Sequence, residues 1–192
     1  MKFLWCDTET TGLDVENAAP FQIAFIFVYS DKNNKEEFER VFYLNPLDMN
    51  GIEFNKTASE IHGYTETDLK KFDPSSEVVY RIDNYLKELV RYRDDEKLVF
   101  VGYNEKFDFE HLASLFRRNG FDFTNYFSKR IDVLEQVRKA NHIFRSLPNR
   151  KLTTVAKFLG IDFDLKAHDA LSDIKVTREV AKSLAQKKVP LF

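Results

Sequence analysis

Residues 2–12 read KFLWCDTETTG. The apolar run Phe3-Leu4-Trp5-Cys6 marks a short buried strand, and Asp7 ends it. Side chains two apart in a strand share a face, so a strand continuing through Glu9 points Asp7 and Glu9 the same way. Thr10-Thr11-Gly12 then reads as the turn that leaves the sheet.

Strands and helices follow outward from this segment. Residues 21–30 (FQIAFIFVYS) form a second strand and 38–45 (FERVFYLN) an alternating third, with the polar turn 31–35 between them as a hairpin. A short helix is expected near 56–61. A longer one at 76–91 carries the stripe Val78, Val79, Ile82, Tyr85, Leu86, Leu89 and Val90. LVFVGY at 98–103 is a fourth strand, apolar throughout and so central. The helix after it turns Phe109, Leu112, Ala113, Leu115 and Phe116 inward and stops at Asn119-Gly120. Helices at 131–141 and 152–159, the latter stopped by Gly160, precede a last helix from about 169 to 187. This order predicts an α/β fold, a mixed sheet covered by helices.

The chain has 192 residues, 43% hydrophobic and 31% charged, and 19 phenylalanines that can fill one core. A net charge of −2 argues against broad adhesion to duplex nucleic acid and leaves room for gripping a few nucleotides at a strand end. The lone Cys6 excludes an internal disulfide framework. MKFLWCD is too short in its apolar stretch for a signal peptide, and no run approaches a membrane span. A soluble cytoplasmic protein is the expectation.

Two further patterns carry chemistry. Asn104 and Asp108 follow the central strand, where a βα junction delivers residues to the sheet edge that holds Asp7. Helix capping by Asn104 is the competing reading. His168 and Asp173 are five apart and would diverge by roughly 140° on a continuous helix. That places His168 on the preceding loop, Asp169 near the N-cap, and Asp173 inside the helix facing the other acids. Carboxylates distant in sequence and close in space suit hard cations, and a nearby histidine suits a base.

DTETTG, IHGYT at 61–65, GYNEKFD, KLTTVAKFLGI and HDALSD together resemble the DEDDh (DnaQ-like) class of 3′→5′ exonucleases, which includes the proofreading subunit of bacterial DNA polymerase III. The similarity spans about residues 1–185, an exonuclease domain, with 186–192 left as a tail. The resemblance implies a ribonuclease H-like fold: a mixed five-stranded sheet with helices on both faces. It implies two divalent cations, Mg²⁺ or Mn²⁺, held by Asp7, Glu9, Asp108 and Asp173, with His168 as general base. Leu13 is placed to pack on a terminal base, and Thr8, Thr10, Thr11, Gly12 and Asn104 to contact the terminal nucleotide. His62 resembles a substrate-side residue, although a structural role suits it equally. Tyr103 departs from the pattern, standing where many members have histidine.

The tail QKKVPLF places Gln186, Val189, Leu191 and Phe192 in an arrangement resembling sliding-clamp-binding peptides. The expected function is a DNA 3′→5′ exonuclease acting on single-stranded or frayed ends, in proofreading or repair, with a DNA polymerase or the clamp as partner. Two alternatives are an RNA 3′→5′ exonuclease and a non-catalytic adaptor binding single strands or a polymerase.

Overall fold

β1 (Lys2–Thr10) lies at the centre of the sheet and brings the acids to one of its edges. The computed structural model describes residues 1–31, 35–162 and 169–189. β1 pairs antiparallel with β2 (Pro20–Ser30), which pairs antiparallel with β3 (Lys35–Tyr43). The chain then forms α1 (Lys56–His62), α2 (Glu66–Leu69) and α3 (Ser75–Arg91), and returns as β4 (Leu98–Gly102), parallel to β1. α4 (Glu105–Arg118) leads to β5 (Phe127–Asp132), parallel to β4. α5 (Val133–Lys139), α6 (Asn141–Phe144), α7 (Leu152–Phe158) and α8 (Ala170–Gln186) complete the chain. The sheet order is β3-β2-β1-β4-β5.

Strand alternation sorts two cores. Leu4, Cys6, Phe25, Phe27 and Phe100 face α3 and α4, against Val78, Ile82, Leu86, Leu112 and Phe116. Val101 and Ile131 face the other way, onto Val137, Val155, Val176, Val180 and Leu184 of α5, α7 and α8. Ala24, Ile26 and Val28 receive Ala170 and Ile174 at the start of α8. β2 is therefore buried on both faces, which is why it reads as almost unbroken apolar sequence. Phe100, Phe109, Phe116, Phe123 and Phe127 meet edge to face or tilted, Phe123 and Phe127 at a centroid distance of 4.9 Å.

Three sequence expectations change. β3 starts at Lys35 and ends at Tyr43, earlier than the alternation at 38–45 indicates, because the β2–β3 ladder continues to the pair Ser30–Lys35. Residues 127–132 form an edge strand, and the helix expected from 131 begins at Val133 and divides into α5 and α6. Asn104 makes no side-chain cap; it sits in the left-handed region at φ 62°, and its backbone N–H donates to Asp132 Oδ1 at 2.8 Å. At the C-terminus, Val189 packs into the second core and its N–H donates to Leu184 O at 3.0 Å. Gln186 is exposed, and Leu191 and Phe192 lie outside the described residues.

Lys2 fastens β1 from beneath. Its fully buried ammonium donates to the carbonyl of Val90 in the last turn of α3 and to Asp94 O at 2.7 Å, and pairs with Asp94 Oδ1 at 2.6 Å. Lys2→Ala orphans these carbonyls and is expected to lower unfolding free energy by about 2–4 kcal/mol in a denaturant titration. A change under ~1 kcal/mol would mean that water replaces the ammonium.

Candidate active site

Three carboxylates converge where β1 ends. Asp7 and Glu9 point to the α8 side of the sheet, and Asp173 lies in the first turn of α8. One oxygen from each lies within 4.8 Å of the others. α8 starts as the sequence predicts: Asp169 is the N-cap, its side chain accepting from Ser172 N–H at 3.0 Å. A bulge between Glu9 and Thr10 then turns the chain out of the β1–β2 ladder.

Asp108 approaches from the opposite helix layer. It is 3% exposed and accepts a hydrogen bond from Thr8 Oγ1 at 2.8 Å. Thr8 thus orients an acid as well as lining the cavity beside it. Asp108 stands outside the tight group of three, yet its charge reaches Asp7 and Glu9. α4 comes this close because of Gly102, where a Cβ would lie 3.2 Å from Cys6 O and 3.2 Å from Glu105 Cβ.

The acids repel. Burial, then the charges of Asp108, Asp173 and Glu9, push Asp7 well above the carboxylate range. Burial and the charges of Asp173 and Asp108 push Glu9 up to about 8. Burial raises Asp108 to about 7 against the lowering effect of the Thr8 hydrogen bond. Hard, crowded, mutually repelling oxygens are a donor set that fits divalent cations.

Beside the acids opens a cavity of ≈ 250 Å³ lined by Thr8, Glu9, Thr10, Gly12, Leu13, Asn55, Thr57, Ala58, Ile61, His62 and Phe107. Leu13 and Ile61 stand out among its walls, 86% and 52% exposed despite being aliphatic. The turn below is held by Thr10 Oγ1 donating to Gly12 O at 2.7 Å, while Thr11 Oγ1 accepts from Ala19 N–H at 3.2 Å. Thr11 is buried and helps to hold the turn. His62 is buried at the end of α1, its Nδ1 accepting from Tyr64 N–H at 3.1 Å and its ring edge-on to Phe21 at 4.6 Å. Asn104 does not line this cavity. His168 lies outside the described residues.

Sequence reasoning missed several neighbours. Ile61 and Ala58 belong to a helix too short to show a periodicity. Phe107 was indistinguishable from a core phenylalanine, but only Phe109 enters the core; Phe107 lines the cavity and packs on His111 at 4.2 Å. Gln22, the one polar residue within the apolar run of β2, was a readable signal.

The exonuclease family model (RNase_T) matches residues 4–181. The PolC-type DNA polymerase III of Caldanaerobacter subterraneus subsp. tengcongensis is 26% identical over 188 residues, 97% of this chain and 12% of the polymerase. Escherichia coli Exonuclease I in complex with a dT13 oligonucleotide superposes with a TM-score of 0.78 at 25% identity, over 97% of this chain and 41% of that one. The zinc-bound form of the same enzyme with single-stranded DNA gives 0.79 at 26% identity, over 100% and 42%. Exonuclease I of Methylocaldum szegediense shares the fold, with a TM-score of 0.79 at 22% identity over 99% and 41%. The chain thus spans about two-fifths of these structures and a small part of the polymerase.

Proposed function

The chain belongs to the exonuclease family, and from that premise we propose that it removes nucleoside 5′-monophosphates one at a time from the 3′ end of single-stranded or frayed DNA, with two divalent cations, Mg²⁺ or Mn²⁺. The observation that carries this reading is the convergence of Asp7, Glu9 and Asp173 beside a cavity walled by exposed Leu13 and Ile61. DNA is favoured over RNA because the oligonucleotide bound to the E. coli relative is DNA and the polymerase relative is a DNA polymerase.

Asp7, Glu9 and Asp173 would hold the cations, with Asp108 completing the set from the α4 side. Bound there, the cations neutralise the scissile phosphate and acidify the attacking water. Leu13 and Ile61, both lining the cavity, pack on the terminal base, and the turn at Thr10–Gly12 offers backbone groups to its sugar. Thr8 keeps Asp108 aimed. His168, one residue before the N-cap of α8, takes the proton from the attacking water.

Truncating a wall should weaken binding more than chemistry. Leu13→Ala and Ile61→Ala are each expected to raise KM for a short oligonucleotide about tenfold (~1.4 kcal/mol), with kcat little changed. An unchanged KM in both variants would remove this cavity from the substrate path.

The function is tested with 3′-unmodified single strands of DNA and RNA, matched in sequence, incubated with Mn²⁺ and resolved by chromatography. Stepwise release of deoxynucleoside 5′-monophosphates is expected. Release from RNA alone would replace the substrate, and no release from either polymer would overturn the reading.

A further inference from the structure

We propose that Gln22 is a positioning residue of this site: it registers the first turn of α8 against the sheet so that Asp173 meets Asp7 and Glu9 as a cation-binding group. The inference rests on the reading of those acids given above.

Gln22 is fully buried in β2 among apolar neighbours. A buried amide costs about 1–3 kcal/mol unless its hydrogen bonds are made, and here they are made to specific partners. Nε2 donates to Asp169 Oδ1 at 2.6 Å and to Tyr43 Oη at 3.0 Å, while Oε1 accepts from Ala170 N–H at 3.2 Å. These partners fix the amide's polarity: a flip would set oxygen against carboxylate and NH₂ against N–H.

The placement links strand to helix. Gln22 is the cross-strand partner of Glu9, so both side chains leave the sheet on the face that α8 covers. The other Asp169 oxygen caps the helix, accepting from Ser172 N–H at 3.0 Å and Ser172 Oγ at 2.9 Å. Asp173 follows in the same turn, its N–H bonded to Asp169 O at 3.0 Å. Helix docking as such has another source, the contact of Ala170 and Ile174 with Ala24, Ile26 and Val28. Apolar packing tolerates small slides and rotations that a fully bonded amide does not. Gln22 therefore contributes register rather than attachment.

Reversing the polarity of the pair separates this from a purely structural role. Gln22→Glu sets a carboxylate against Asp169. Adding Asp169→Asn supplies an amide that can donate to the introduced carboxylate, while its oxygen still caps α8. Mn²⁺ binding is read by titration calorimetry without nucleic acid, and hydrolysis of a short oligonucleotide is read alongside. Gln22→Glu is expected to weaken Mn²⁺ binding roughly 10–100-fold, and to shift the Mn²⁺ needed for half-maximal hydrolysis equally. KM for the strand should stay within about twofold, and the double variant should recover most of the Mn²⁺ affinity. Should Gln22→Glu fail to fold, Gln22→Met is expected to give the same loss.

A folded Gln22→Glu protein with wild-type Mn²⁺ affinity overturns the proposal, as does a double variant no better than the single one. If the wild-type protein releases no nucleotide yet loses Mn²⁺ affinity on substitution, the nuclease reading fails while the role of Gln22 stands.

Discussion

Asp7→Asn is expected to lower monophosphate release at least ~1000-fold, about 4 kcal/mol of transition-state stabilisation, and at the same time to raise the thermal midpoint of the metal-free protein. Both effects have one source. Asp7 shares the tight carboxylate group with Glu9 and Asp173, and its pKa is raised by burial and by four acidic neighbours, Asp108, Asp173, Glu9 and Asp169. An amide of the same shape keeps the packing and removes an acid whose ionisation is opposed by burial and by its acidic neighbours. It would also remove one of the three clustered carboxylates that would hold the cations. Steady-state hydrolysis with Mn²⁺ and a thermal melt in chelator check the pair of outcomes. Activity within tenfold of wild type would exclude Asp7 from the chemistry, and a lower midpoint would mean that its charge is compensated within the fold.

The second large effect is a pH-dependent stability that cations reverse. Glu9 ordinarily titrates near 4.5 and in the fold near 8, with Asp7 and Asp108 displaced in the same direction. Between those values the folded chain holds more protons than the unfolded one, so metal-free stability falls as pH rises from about 4.5 to about 8. Below that window these groups are neutral in both states and the penalty vanishes. The loss across the window is on the order of a few kcal/mol. A cation prefers the ionised acids, so Mn²⁺ should stabilise most where the penalty is greatest. At a hundredfold excess over Kd the gain is about 2.7 kcal/mol, or roughly 5–10 °C for a chain of this size. Melts at pH 5 and pH 8, with and without Mn²⁺, read the difference. An equal Mn²⁺ shift at both pH values would contradict the raised acids.

Local signals carried much of this architecture. The apolar run into Asp7, the cap at Asp169 and the stops at Gly120 and Gly160 each act within a few residues, and the structure places them where the pattern does. β5 escaped because an edge strand needs few inward residues: Ser128, Lys129 and Arg130 are all exposed. Of the site, the spacing of Asp7 and Glu9 was readable because strand geometry sets it. Their separation from Asp173 was not, because it depends on how α8 docks. Phe107 and Phe109 are the same residue type one position either side of Asp108, and only tertiary packing sends one to the core and the other to the cavity. Gln22 acts across 147 residues to Asp169, a distance no local pattern records.

The central position of β1 has a consequence for the order of assembly. Asp7 and Glu9 lie on β1, β4 must come back from residue 98 to pair beside it, and Asp173 enters only with α8. The sheet and the α3–α4 core can therefore form before the carboxylates are brought together, and loop closure over so long a span makes α8 a late arrival. Charge repulsion then opposes the final docking step and leaves nucleation untouched. The carboxylates therefore meet against their mutual repulsion only after the sheet and the α3–α4 core that hold two layers of the fold can form.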